Sequence, residues 1–202
     1  MSPIGKKLAR LCVFCGASPG KNPLYVESAR RMGALLAQHG IALVFGGGQV
    51  GMMGAVAEGA LAAGGHVIGV IPEALLKKEV AFPKFKLPEQ HVVRSMHERK
   101  QMMADLSDGF IALPGGYGTF EEFCEMTTWS QLGIHRKPCA LLNLDGYYDG
   151  LLTLLDRGVS EGMIRPAYRP LVLSDDDPER LLARMAEWTP PAGDIVLDWK
   201  SS

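Results

Sequence analysis

Short apolar runs alternate with longer amphipathic ones along this chain, the pattern of β-α-β units that build a parallel sheet with helices on both faces. Strands are predicted near 9–15, 41–45, 66–71, 109–113, 139–144 and 171–173, and helices near 23–39, 51–64, 95–107, 119–133, 147–161 and 178–188. Asn22 followed by Pro23 reads as an N-cap and first helical residue, and Gly40 as a stop. Between Pro72 and Pro88 the pattern fails: Pro72, Pro83 and Pro88 interrupt it, with Lys77, Lys78 and Glu79 between them. A long irregular connection at the carboxyl end of a strand is where open α/β sheets bind ligands, so this one is a candidate lid or wall. The expected organisation is a single α/β domain over 1–190, with a loosely held tail over 191–202.

Composition narrows the partners. A net charge of -1, with basic residues scattered apart from pairs such as Arg30-Arg31 and Lys77-Lys78, gives no field for wrapping nucleic acid. Four cysteines in 202 residues are too few for a disulfide framework, so free thiols in a reducing compartment are expected. Cys12-x-x-Cys15 invites a redox reading, but it lies inside a predicted strand, whereas a redox pair opens a helix that lowers its thiol pKa. No second ligand pair follows at zinc spacing, and no metal is expected. Lys6, Lys7 and Arg10 ahead of Leu11 to Cys15 faintly imitate a signal peptide whose apolar core is too short. No apolar stretch is long enough to cross a bilayer, so the expectation is a cytoplasmic protein without a membrane partner.

Three glycine-bearing turns follow strands: Cys15-Gly16-Ala17-Ser18, Gly46 to Gly51, and Pro114 to Thr119. In a parallel sheet all three open on one edge. Gly46-x-Gly48-x-x-Gly51 matches a dinucleotide fingerprint in spacing only: it follows the second strand, and Val70-Ile71-Pro72 stands where an acidic residue should end the next. No Gly-Lys-Ser/Thr occurs, which excludes a Walker A loop. The third turn, Leu113-Pro114-Gly115-Gly116-Tyr117-Gly118-Thr119-Phe120-Glu121-Glu122, joins a strand to a helix. Gly115, Gly116 and Gly118 can take positive φ and expose main chain, while the first-turn N–H groups favour an anion such as phosphate. A plainer reading stands beside it, because Thr119 and Glu122 have capping-box spacing.

The helix opening Ser95-Met96-His97-Glu98-Arg99-Lys100 carries a second capping box, Ser95 with Glu98. Met96, Met102, Met103 and Leu106 form its apolar stripe, with Arg99 near the middle and Lys100 at the edge. An inward arginine cannot shed its proton and needs an anion, either a buried carboxylate or, in a functional site, a substrate phosphate or Glu122. His97 lies off the stripe and reads as a surface residue or a support behind the site, not as a catalyst.

Pro114-Gly115-Gly116-Tyr117-Gly118-Thr119-Phe120-Glu121-Glu122 resembles the PGGxGTxxE signature of the LONELY GUY (LOG) family, phosphoribohydrolases long labelled lysine decarboxylases, and Met96-His97-Glu98-Arg99-Lys100 resembles its second motif. Phe14-Cys15-Gly16 with Ser18, Gly46 through Gly54, and Thr128-Trp129-Ser130-Gln131-Leu132-Gly133 fit the same family, so the likeness covers nearly the whole chain. Ser95 departs from it, standing where aspartate is expected before Met-His. The resemblance implies a homodimeric, Rossmann-like, doubly wound fold that hydrolyses the N-glycosidic bond of AMP or N6-isopentenyl AMP without a cofactor. It further implies Arg99 and Glu122 as catalytic residues. Glu79, Lys100, Gly115, Gly116, Tyr117, Gly118, Thr119, Phe120, Glu121 and Thr127 join Arg99 as the substrate-binding set it implies, the glycines and Thr119 taking the 5′-phosphate. A decarboxylase would need a Schiff-base lysine, for which Lys100 is the one lysine near a motif. A non-catalytic nucleotide or pterin carrier of related fold is the rival from another class. Trp129, Leu132 and Ile134 would serve a dimer interface as well as a core.

Overall fold

The computed structural model describes residues 4, 7–76 and 87–191. In chain order the elements are β1 (Arg10–Phe14), α1 (Pro23–Gln38), β2 (Ala42–Phe45), α2 (Gly51–Ala62), β3 (Val67–Pro72), the single turn α3 (Glu73–Leu76), β4 (Glu89–Val93) and α4 (Met96–Asp105). They continue with β5 (Gly109–Ala112), α5 (Tyr117–Gln131), β6 (Cys139–Leu142), α6 (Asp149–Ser160), β7 (Val172–Asp175) and α7 (Pro178–Glu187). The strands form one seven-stranded sheet in the order β4-β3-β2-β1-β5-β6-β7, every pairing parallel.

Alternation along β1 shows how the sheet is covered. Leu11 and Val13 pack into a cluster with Met32 and Leu36 of α1, Val56 of α2 and Leu181 of α7. Cys12 and Phe14 face the opposite cluster, with Met103 of α4 and Phe123 and Met126 of α5. Both faces of the central strands are therefore apolar, which is why they read as continuous hydrophobic runs. The expected doubly wound parallel sheet is the observed fold.

Three expectations need correction. β4 is an additional strand just after the stretch read as irregular, where no element was expected; Glu89-Gln90-His91 are polar because β4 is an edge strand with one neighbour, and it carries no apolar run to read. The helix expected from 119 begins at Tyr117 with Gly116 as N-cap, so Thr119 and Glu122 form no capping box there. The capping box at Ser95 is half formed: its Oγ accepts the Glu98 N–H at 3.1 Å, but the Glu98 carboxylate takes the Arg94 N–H at 2.8 Å. Lys77, Lys78, Glu79 and Pro83, and the tail from 192, lie outside the described residues.

Candidate active site

The strand order reverses at β1, whose neighbours β2 and β5 lead the chain away in opposite directions. The turns after β1 and β5 consequently part at the carboxyl edge and leave a crevice, the ligand position of open α/β sheets. A cavity of about 570 Å³ fills it, walled by Cys15, Gly16, Ala17 and Ser18 after β1, by Pro114, Gly115 and Gly116 after β5, and by Met52, Met53, Met96 and Tyr147. Arg99, Gly118, Thr119, Glu121 and Glu122 line it as well.

No side chain caps α5 at its start. The N–H groups of Tyr117, Gly118 and Thr119 thus have no intrahelical partner, and the helix dipole adds partial positive charge at the same place. A Cβ placed on Gly116 or Gly118 would meet nothing within 4 Å, so these glycines leave the main chain open to a ligand. Gly115 differs, because a Cβ there would lie 2.2 Å from the Thr119 Oγ1 and 2.9 Å from the Gly16 nitrogen. None of the three takes positive φ, contrary to expectation. They are glycines for want of room and for access, not for backbone freedom.

Arg99 and Glu122 meet at the floor. Arg99 Nη1 donates to Glu122 Oε1 at 2.5 Å, its Nε donates to the Val70 carbonyl at 3.3 Å, and each residue is only 8% exposed. The inward arginine on the α4 stripe therefore finds its anion in Glu122. Gly46 makes this possible, since a Cβ on it would stand 2.0 Å from Arg99 Nη2. Burial raises the Glu122 pKa, against the opposing pull of Arg99.

The neighbouring Lys100 is buried as well. It donates to Glu121 and lies 2.9 Å from Glu125 Oε2, and with His97, Glu98, Gln101 and Trp129 it lines a separate hollow of about 310 Å³. Desolvation pulls its pKa down, but the bonds to Glu121 and Glu125 outweigh that and hold it above the ordinary lysine value. An ammonium so stabilised is a poor Schiff-base nucleophile.

The remaining sequence-derived candidates are dispersed. Tyr117 is 93% exposed and does not line the cavity. Phe120 packs edge-on against Tyr148 at 6.3 Å, as part of the wall behind the turn. Thr127 donates from Oγ1 to the Phe123 carbonyl at 2.9 Å and lines a distinct apolar cavity of about 170 Å³. Glu79 lies outside the described residues, and His97 is exposed, as expected. Tyr25, Met52, Met53, Met96 and Tyr147 line the crevice without having been singled out as ligand contacts; the resemblance took in Met52, Met53 and Met96, and the apolar stripe took in Met96. Cys12 and Cys15 are free and buried, and burial pushes both thiols up, which removes the redox reading.

A switch-point crevice with uncapped helix amides at one wall and a buried Arg–Glu pair at its floor defines a Rossmann-like α/β protein whose crevice has the size and charge to take a small anionic ligand. Residues 53–185 match the family described as possible lysine decarboxylase. The chain is 47% identical to the probable cytokinin riboside 5′-monophosphate phosphoribohydrolase LOGL5 of Oryza sativa subsp. japonica, over 97% of this chain and 80% of that protein. It is 46% identical to the cytokinin riboside 5′-monophosphate phosphoribohydrolase LOG7 of Arabidopsis thaliana, over 97% of this chain and 89% of that one. The chain belongs to the LONELY GUY family. Among solved structures, the molybdenum cofactor carrier protein of Chlamydomonas reinhardtii shares the fold, with a TM-score of 0.65 and 23% identity over 88% of this chain and 96% of that one. The molybdenum cofactor binding protein of Rippkaea orientalis does so too, with a TM-score of 0.64 and 22% identity over 88% and 94%.

Proposed function

We propose that this protein is a nucleoside 5′-monophosphate phosphoribohydrolase that cleaves AMP or an N6-substituted AMP, such as N6-isopentenyl AMP, to the free base and ribose 5-phosphate. The observation that carries this reading is the buried Arg99–Glu122 pair bordering the same cavity as the uncapped start of α5. In the reaction the C1′–N9 bond breaks, its electron pair leaves with the base, and water adds to C1′ while a proton reaches the base. The ribose passes through an oxocarbenium-like state, which a fixed carboxylate stabilises. Glu122 is that carboxylate, and it also orients the water. Arg99 holds it in place and supplies positive charge near the phosphate, while Gly115, Gly116, Gly118 and Thr119 seat the 5′-phosphate. Phosphate binding alone would have no use for Glu122, whose negative charge repels the group being held.

The homodimer belongs to the same proposal: Trp129 of α5 is only partly buried, and Ile134, just past the end of that helix, is exposed. Sedimentation of the purified protein tests it. Four free thiols fit a reducing compartment, and we assign the protein to the cytoplasm. The function itself is tested by incubating purified protein with AMP and with N6-isopentenyl AMP and measuring free base and ribose 5-phosphate. Stoichiometric release of both products is expected. Tight nucleotide binding without release would overturn the hydrolase in favour of a carrier.

A further inference from the structure

We propose that Tyr147 is a positioning residue, acting through the Gly115 carbonyl to aim the main chain that holds the 5′-phosphate; this rests on the phosphate-binding part of the function proposed above. Three consecutive carbonyls of the turn are each taken by a donor from elsewhere. Tyr148 Oη donates to Leu113 at 2.6 Å, the Gly16 N–H donates to Pro114 at 3.1 Å, and Tyr147 Oη donates to Gly115 at 2.5 Å.

A peptide unit is planar and trans, so its C=O and the following N–H point in opposite directions. Fixing the Gly115 carbonyl on the Tyr147 side therefore fixes the Gly116 N–H on the other, and the Pro114 bond does the same for the Gly115 N–H. Gly116, at the far end of this unit, has no Cβ and nothing within 4 Å of where one would stand, so packing does not hold that end. The tyrosine hydroxyl does.

The turn that carries Tyr147 is itself braced. Asp145 has a φ of 51°, the one described non-glycine residue with positive φ, and Asn22 Nδ2 donates to its Oδ2 at 3.3 Å. Asn143 takes the Tyr148 N–H at 2.7 Å and donates to Asp149 at 2.8 Å. The Tyr147 ring stands edge-on to Tyr25 at 5.7 Å and to Tyr148 at 5.1 Å. These contacts belong to the ring, and Tyr147→Phe keeps them while deleting only the hydroxyl.

Calorimetric titration of ribose 5-phosphate and, separately, of adenine into wild type and Tyr147→Phe tests the assignment. Ribose 5-phosphate affinity should fall about five- to tenfold, the worth of one hydrogen bond, with adenine affinity unchanged. In turnover, KM for AMP should rise by a similar factor with kcat held within about twofold. An unchanged ribose 5-phosphate affinity, an equal loss for adenine, or no binding of ribose 5-phosphate by wild type overturns the proposal. A wild type that binds ribose 5-phosphate but releases no base sinks only the hydrolase reading.

Discussion

Arg99 Nη1 and Glu122 Oε1 lie 2.5 Å apart in a pocket that leaves each residue 8% exposed. A buried ion pair is a weak device for stability, because desolvation offsets its attraction. A charged pair at the floor of a ligand-sized crevice is therefore better explained by what it does to a substrate. Arg99 is also tethered to the Val70 carbonyl within β3, so the pair is aimed by the sheet and not by its own helix alone.

Glu122→Gln keeps the shape and an acceptor for Arg99 but removes the charge. We expect kcat for base release to fall by at least about a hundredfold, as for loss of one preorganised electrostatic group, with nucleotide affinity largely kept. Steady-state kinetics of a folded variant decide it; near-wild-type turnover would exclude Glu122 from the chemistry.

The same carboxyl sets a pH dependence. Burial raises its pKa above the ordinary 4.5, and the ionised form is the active one, so the acidic limb of the wild-type kcat/KM profile is expected above that value. The sign for stability is the reverse: the contribution of a raised carboxyl is fully present below its unfolded pKa and is lost as pH rises through the folded one. A limb at or below pH 4.5 would contradict the assignment.

Arg99→Lys retains the charge and loses the fork that serves Val70 and Glu122 together. Turnover of AMP is expected to drop at least about tenfold, since a single ammonium cannot keep both partners. Full activity in this variant would reduce Arg99 to a simple counter-charge.

Gly46→Ala tests the same geometry from beneath. Its Cβ would stand 2.0 Å from Arg99 Nη2, so the guanidinium must shift. Loss of activity at least comparable with Arg99→Lys is expected, with circular dichroism close to wild type. Retained activity would mean that the arginine has another productive position.

Much of this was legible in the chain because apolar runs and glycine turns are local signals. The buried strands β1, β2, β3, β5 and β6 are nearly uniform in hydrophobicity and could be read directly, as could Arg99 on an apolar stripe. β4 could not, because an edge strand keeps polar residues that mimic a loop. Gly115, Gly116 and Gly118 were found for a reason the structure revises, since crowding by Thr119 and open access leave no trace in sequence distinct from turn glycines. Tyr147 escaped because its role depends on a hydrogen bond across 32 positions of chain.

Ser95 stands where relatives of this motif are expected to carry aspartate, and its Oγ accepts the Glu98 N–H at 3.1 Å. Serine and aspartate cap helices about equally well, whereas alanine loses the bond and costs about 1 kcal/mol. In a protein of this size that is a fall of roughly 2–4 °C in thermal midpoint for Ser95→Ala. Ser95→Asp should leave the midpoint and AMP turnover near wild type. Arg99 sits in the first turn that this cap holds, its N–H bonded to the Ser95 carbonyl at 3.1 Å, so fraying there reaches the guanidinium. Ser95→Ala is accordingly expected to lose activity as well as stability, measured by calorimetric unfolding and base release on the same preparation. A stable, fully active Ser95→Ala would show that the sheet tether at Val70 suffices to hold Arg99 without the cap.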